Sequence, residues 1–479
     1  MNQNNINNVQ TETTASGHLH GRLNARHLVF MVIAAAAPLT VVGGNVPLSI
    51  GLGNGPGALW GFFVSTVVLF IFAIGFVQMT PFVKEAGAFY SYIDQGLGRK
   101  MSVGAAYTAL ISYTAVQVGI YGYIGWAVQD LLTSYGVGQH PWWLYSLVCL
   151  LIVGLFGYRN IDFNSRVLGL LMILEIGIVM IMNIGILSQG GAQGIESEPF
   201  KLHYILDPGI SLSILFALTG FIGFESAAIY REEAINPEKT IARATYLAVI
   251  IIGVFYTFSA WCLTVAVGSE QARAVAQQTL SGHANMMIDV AQQYVGTAFK
   301  NVMQVLLITS LFACVLSFHH IIVRYQFVLA RKGYLPEGLG QVHPKHYSPA
   351  NSSYLQDICA LLLVILFALF QLNPLTQVFG FMASIATVGC TLLMLLTSLA
   401  VFRYFRQNPE HIQNKFLSRQ LIPALACVLL AGCLYLIISH FQILTGGSIW
   451  ICVILACVPV IALLLGILRP VKLQVKPIV

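Results

Sequence analysis

The sequence predicts an all-α integral membrane protein of twelve spanning helices: two five-helix halves in inverted orientation, then two further helices, with the first and sixth helices discontinuous. Three observations predict it. Of the 479 residues 57% are hydrophobic and 9% are charged, against about 25% charged in a soluble domain. The apolar residues gather into stretches long enough to cross a bilayer, which takes ~20 residues at 1.5 Å rise each. Two of those stretches are interrupted by clustered glycine and proline, whereas the others read uniformly.

The stretches fall at about 28–53, 57–80, 101–131, 141–158, 164–188, 208–231, 241–268, 298–330, 354–372, 374–402, 420–440 and 447–468. Lys and Arg are retained on the cytoplasmic side of a membrane. With alternating loops, all 24 basic residues except Lys201, Arg273 and Lys300 share one side. Both termini are therefore expected in the cytoplasm, in a multi-pass protein of the cell inner membrane. The net charge of +6 then reflects topology and implies no nucleic-acid partner. Residues 1–27, rich in Asn, Thr and Gly, read as a disordered cytoplasmic tail, and 469–479 as a second one. No cleavable signal pattern opens the chain. The nine cysteines lie in or beside apolar stretches without CxxC or zinc-like spacing, and read as packing residues.

The first span reads HLVFMVIAAAAPLTVVGGNVPLSIGLGNGPG and the sixth contains LTGFIGFES. Proline removes a backbone donor and clashes with the preceding turn, and glycine adopts conformations other residues avoid. Unwound backbone at membrane depth survives only where protein buries it or it lines a polar cavity. Either helix alone is equally well read as kinked or closely packed. Their placement decides between these readings, because they are corresponding members of two five-helix halves. Discontinuous helices in inverted repeats meet at the midplane of secondary transporters and bind substrate there. Freed amides suit a carboxylate and freed carbonyls an ammonium group.

Three motifs carry a likeness: PFVKEAGAFYSYIDQGLGR after the second span, FIGFESAAIYREEAINPEKTIARA through the sixth, and RYQFVLARKGYLPEGLGQVHPKHYSP closing the eighth. In this order they resemble the amino acid/polyamine/organocation (APC) superfamily over roughly residues 25–405. The resemblance implies uptake or exchange of amino acids or related amines. It also implies a ten-helix core (28–402, repeats about 28–188 and 208–402) of the LeuT-like type, with peripheral helices over 420–468. The family's unwound first helix matches Thr40, Val41, Val42, Gly43 and Gly44, where the substrate carboxylate would bind. The unwound sixth matches Thr219, Gly220, Phe221, Ile222 and Gly223, whose carbonyls would receive the amine. This chain has APLTVVGG where many relatives carry a Gly-Ser-Gly type of sequence, so the contacting amides are not fixed by the match. Lys84, Glu85, Glu232, Glu233, Asn236, Pro237 and Arg331 fall on the cytoplasmic side and suit a gate or packing network.

Among the eighteen acids only Glu175 and Glu225 lie well inside predicted spans, where a carboxylate costs ~2.5–3.5 kcal/mol on insertion scales. Glu175 matches a fifth-helix position at which some relatives carry a lysine in place of a sodium site. It reads either as a proton-coupling group or as a neutral Glu bonded to a neighbouring helix. Glu225 follows the sixth-helix break and reads as a gating or proton-sensing acid or as the cap of the second half-helix. His319 and His320 read as titratable candidates or packing histidines. The aromatics Tyr107, Tyr113, Tyr121, Tyr123 and Trp126 of the third span, with Phe221 and Phe224, are candidates to line a side-chain pocket that holds no Lys or Arg.

The expected function is a proton-coupled amino acid importer for neutral, apolar substrates, working by alternating access without a cofactor. An antiporter of amino acids or polyamines, and a sodium-coupled symporter using Thr309, Ser310 and Glu175 as oxygen ligands, remain open, as does a non-transporting sensor. The absence of HExxH, GxSxG and CxxC speaks against an enzyme.

Overall fold

The computed structural model describes residues 25–84, 87–137, 140–159, 165–344, 348–412 and 415–469. The N-terminal tail to residue 24, Glu85, Lys345 and the C-terminal stretch from 470 fall outside the described residues, as do the side chains of Glu232 and Glu233.

Every regular element among the described residues is helical. The first predicted span is divided into α1 (Ala25–Ala36), a single turn at Pro38–Thr40, a π-helical turn at Val41–Asn45 and α2 (Val46–Gly51). There follow α3 (Ala58–Met79), α4 (Ala88–Leu97), α5 (Arg99–Ser134), α6 (Trp142–Tyr158) and α7 (Ser165–Gln189). The sixth predicted span becomes α8 (Ile210–Phe221) and, past a break, a 3-10 helix over Phe224–Glu233. Next come α9 (Pro237–Val267), the short α10 (Ala272–Leu280) and α11 (Met286–Tyr294), α12 (Thr297–Arg331) and α13 (Ala350–Leu369). A π-helical turn at Pro374–Phe379 leads into α14 (Gly380–Gln407), then α15 (Ile422–Ser439) and α16 (Ile449–Leu468). Among the described residues ten helices are long and apolar enough to cross a membrane. Trp142–Tyr158 is apolar but shorter, and the divided first span offers no single long helix.

Helix ends follow local chemistry. Pro237 opens α9, where its missing amide hydrogen costs nothing. Past the end of α12, Gly333 at φ 77° lets Tyr334 N donate to Leu329 O at 2.8 Å and its own amide to Ala330 O at 2.9 Å, which satisfies carbonyls the helix leaves free.

α8 lies at the centre and is buried throughout. It packs on α3 and α14, while α5 runs against α6, α12, α14 and α16. α13, α15 and α16 turn residues such as Leu362, Val428 and Leu465 outward, a surface suited to hydrocarbon. α16 is nonetheless tied to α5. A Cβ on Gly466 would stand 2.5 Å from Gly104 Cα, and Thr108 Oγ1 donates to Pro459 O at 3.3 Å, the close small-residue crossing expected between membrane helices.

Candidate substrate site

The two interrupted helices pack against each other and against α9. In the first, Ala37 adopts φ 47°, ψ 71°, immediately before Pro38. Proline disfavours the helical conformation in its predecessor and cannot continue the hydrogen-bond ladder. In the sixth, Ile222 is extended and Gly223 sits at φ 112°, a conformation that glycine adopts without a Cβ penalty.

The freed backbone groups find side chains. Tyr256 Oη on α9 lies 3.2 Å from Ala36 O and 3.3 Å from Gly220 O, so one hydroxyl spans both breaks. Cys314 Sγ reaches Ala35 O at 3.5 Å. Leu39 N makes a long contact, 3.4 Å, to Glu175 Oε2, and Gly223 N donates to Glu225 Oε2 at 3.0 Å. Asn45 Nδ2 donates to Phe216 O at 2.7 Å, and Thr219 and Thr387 share a hydroxyl contact at 2.5 Å.

Between the two breaks lies a cavity of about 30 Å³, room for roughly two waters. Thr40, Val41 and Asn45 line it from the first span and Thr219, Gly220 and Ile222 from the sixth. α5 contributes Val116, Gly119 and Ile120, α12 contributes Cys314 and Phe318, and Phe379 and Ala383 complete the wall. No lining residue carries a charge. Beyond Tyr123 and Phe379, whose ring centroids are 5.4 Å apart, opens a vestibule of about 740 Å³ walled by Trp126, Trp142, Trp143 and Asp130. At the opposite end the closure is deeper. Phe72 packs on Phe224 (6.0 Å) and Phe76 stacks on Tyr92 (4.2 Å), and Tyr92 hydrogen-bonds Thr80 at 2.9 Å.

Several sequence expectations are corrected by this geometry. The unwound part of the first helix is not Thr40–Gly44: the break precedes the proline, at Ala37, and Val41–Asn45 stays wound as a wide turn. Gly43 and Gly44 do not line the cavity. They make room for Tyr123, because a Cβ on Gly43 would lie 2.7 Å from Tyr123 Oη and one on Gly44 2.6 Å from Tyr123 Cε1. Val42 is buried away from the cavity. Phe221 turns its ring to Tyr256 (5.7 Å) and Gly223 serves the break. The third-span aromatics do not form the pocket wall either. Tyr113 Oη donates to Glu225 Oε1 at 2.7 Å, Tyr107 Oη donates to Tyr334 O at 2.7 Å, and Trp126 faces the vestibule. The α5 residues that do line the cavity are Val116, Gly119 and Ile120.

Glu175 and Glu225 are both buried and each serves one break. Ser310 hydrogen-bonds Thr40 at 3.3 Å. Thr309 turns away: its hydroxyl goes to Leu306 O and it lines an outer apolar groove. Of the three oxygen donors named for sodium, Ser310 and Glu175 lie together and Thr309 faces elsewhere. Tyr256, Phe318, Phe379 and Asn45 were missed by sequence reasoning. Only an alternation of apolar and aromatic residues marks the first three in the chain, a pattern that also describes ordinary packing, and Asn45 is a lone amide in an apolar run.

A multi-pass helical protein with two broken helices meeting at a closed, uncharged central cavity has the build of a membrane carrier. The chain belongs to the amino acid permease family, which it matches over residues 23–464. It is 21% identical over 405 residues to the branched-chain amino acid permease BcaP of Lactococcus lactis subsp. cremoris, covering 80% of this chain and 81% of that one. With BcaP of Bacillus subtilis identity is 22% over 456 residues, 91% of both chains. With the low-affinity putrescine importer PlaP of Escherichia coli K12 it is 23% over 363 residues, 74% of this chain and 76% of that one. As a permease the chain is a transporter of small molecules and not an enzyme.

Proposed function

We propose that this permease is a proton-coupled importer of neutral, apolar amino acids that works by alternating access in the cell inner membrane, with both termini cytoplasmic. In this reading, twelve spans form two inverted five-helix repeats and two peripheral helices, and the proton is the only ion required. The observation that carries the proposal is the cavity at the two breaks, uncharged and walled by Val41, Val116, Ile120, Phe318 and Phe379. Such a wall favours an aliphatic side chain over an ionic one.

The substrate ammonium is assigned to the carbonyls of Ala36 and Gly220, which Tyr256 now occupies. Its carboxylate is assigned to the amide end of the turn that begins at Pro38, the positive end of a half-helix. The cavity is too small for an amino acid as it stands, so the structure corresponds to a closed form. Opening toward the vestibule is assigned to parting of the Tyr123–Phe379 contact. Glu175 is proposed to carry the coupling proton, since it joins α7 to the break in the first span.

Purified protein in liposomes tests the reading. L-leucine should accumulate when only an inward proton gradient is imposed, and excess L-valine should compete where putrescine does not. Accumulation driven by sodium alone would overturn the coupling, and preferred uptake of putrescine would overturn the substrate class. Strict dependence on internal amino acid, with no net uptake, would make the protein an exchanger.

A further inference from the structure

Behind the cavity wall lies a polar cluster that plays no part in substrate contact. His319 on α12 is fully buried. Its Nδ1 lies 3.6 Å from Asp357 Oδ1 on α13 and 3.3 Å from Gln117 Nε2 on α5, and its Nε2 lies 2.9 Å from Ser353 Oγ. Gln356 Nε2 donates to Gln117 Oε1 at 2.7 Å, and Gln326 Nε2 to Gln356 Oε1 at 3.1 Å. α6 closes the cluster with two glycines: a Cβ on Gly154 would stand 2.8 Å from Asp357 Oδ2, and one on Gly157 2.3 Å from His319 Nε2. Asp357 sits two turns inside α13, and no local pattern in the chain marks that it meets a histidine.

We propose that Asp357 and His319 form a second intramembrane proton-binding site, distinct from Glu175, whose loading sets how α5 and α12 seat against the substrate cavity. Asp357 Oδ1 is buried and accepts no hydrogen bond. Among the described residues His319 is the only cation-forming group within 4.0 Å of it. The other titratable groups facing the pair are Tyr121 on α5, Cys149 on α6, His320 on α12 and Tyr354 on α13. The phenols and the thiol are uncharged near neutral pH by their ordinary values. With Gln117 donating to Nδ1 and Nε2–H donating to Ser353, His319 is neutral, and an ionised Asp357 then has no cationic partner. One proton removes that charge, either on Asp357 or on Nδ1 pointing at Oδ1. The second placement forces Gln117 to give up its contact with Nδ1. Phe318 and Val116, which adjoin His319 and Gln117 in sequence, both line the cavity. A rearrangement at the pair therefore reaches two cavity walls through one residue each.

The inference rests on the transport reading for its second half only, and two measurements separate them. First, infrared difference spectra of the purified protein between about pH 5 and 8, the range in which histidine titrates, should show a carboxyl band. Asp357→Asn should remove this band, and His319→Gln should shift its midpoint by at least about one pH unit. Retention of every titrating carboxyl band in Asp357→Asn overturns the proton site, whether or not the protein transports anything. Second, leucine counterflow with equal pH on both sides should vary with pH in wild type and lose that variation in Asp357→Asn. An unchanged profile in Asp357→Asn overturns the link to the cavity. Absence of leucine exchange in wild type at every pH counts against the transport reading, and the infrared result alone then decides the proton site.

Discussion

Tyr256 holds two carbonyls that belong to different broken helices, at 3.2 and 3.3 Å. A single hydroxyl of this kind contributes about 1 kcal/mol, a shift of about fivefold between closed and open forms. Tyr256→Phe should therefore leave the protein folded and speed leucine exchange or weaken its selectivity, measured by counterflow; unchanged rates and competition would remove its role as a clasp. Glycines separate by what a Cβ would meet. At Gly220 it would lie 3.0 Å from both methyls of Val41 at the cavity edge, whereas at Gly177 nothing lies within 4 Å. Gly220→Val should abolish leucine binding in a thermal-shift assay while Gly177→Val leaves it intact, and equal loss at both would deny the cavity its role. Glu175→Gln, which cannot cycle its charge, should keep exchange and lose uphill accumulation under a proton gradient. Persistent accumulation would move the coupling proton elsewhere, to the Asp357–His319 pair first.

At the scale of elements, the sixth span does more than unwind. Past Gly223 it continues as a 3-10 helix of 10 residues, far beyond the 3–4 residues usual for that geometry. Glu225, tied to both Gly223 N and Tyr113, anchors its start. The sequence shows the break through its glycines, but the kind of helix that follows depends on packing against α1, α4 and α9. The crossing of α5 and α16 offers a cleaner experiment. Gly466→Leu must displace backbone at Gly104 and should cost about 1–3 kcal/mol, seen as a lower thermal midpoint in detergent. Gly432→Leu on the exposed face of α15, where nothing lies within 4 Å, should leave the midpoint unchanged. Equal midpoints in the two variants would mean that α16 is not bound through this contact.

For the whole molecule the informative asymmetry is between the two closures. One is built on Tyr123, which packs on Phe379 and Trp126, and the other is a larger stack that includes Phe72, Phe76, Tyr92 and Phe224. Phe379→Ala should open the cavity to the vestibule. In a Thr219→Cys background, a water-soluble thiol reagent added from the vestibule side should then label Cys at 219 several-fold faster. No acceleration would place the barrier at another level of the path.

The sequence by itself determined that the chain is helical and built for a bilayer, and which two helices break, because apolar length, charge and proline act locally along the chain. It also singled out Glu175 and Glu225, since an acid in an apolar run is visible without any partner. The tertiary structure decided what those features touch. Gly43 and Gly44 look like freed backbone in the sequence, yet Tyr123 fills their space from a helix about eighty residues away. Asp357 reads as the start of a span, yet it meets His319 because α13 crosses α12 at that level. Tyr256 is one aromatic among many until two distant breaks converge on its hydroxyl. Each of these pairings joins residues remote in sequence, and its energy exists only once helices are packed, so no local pattern in the chain encodes it.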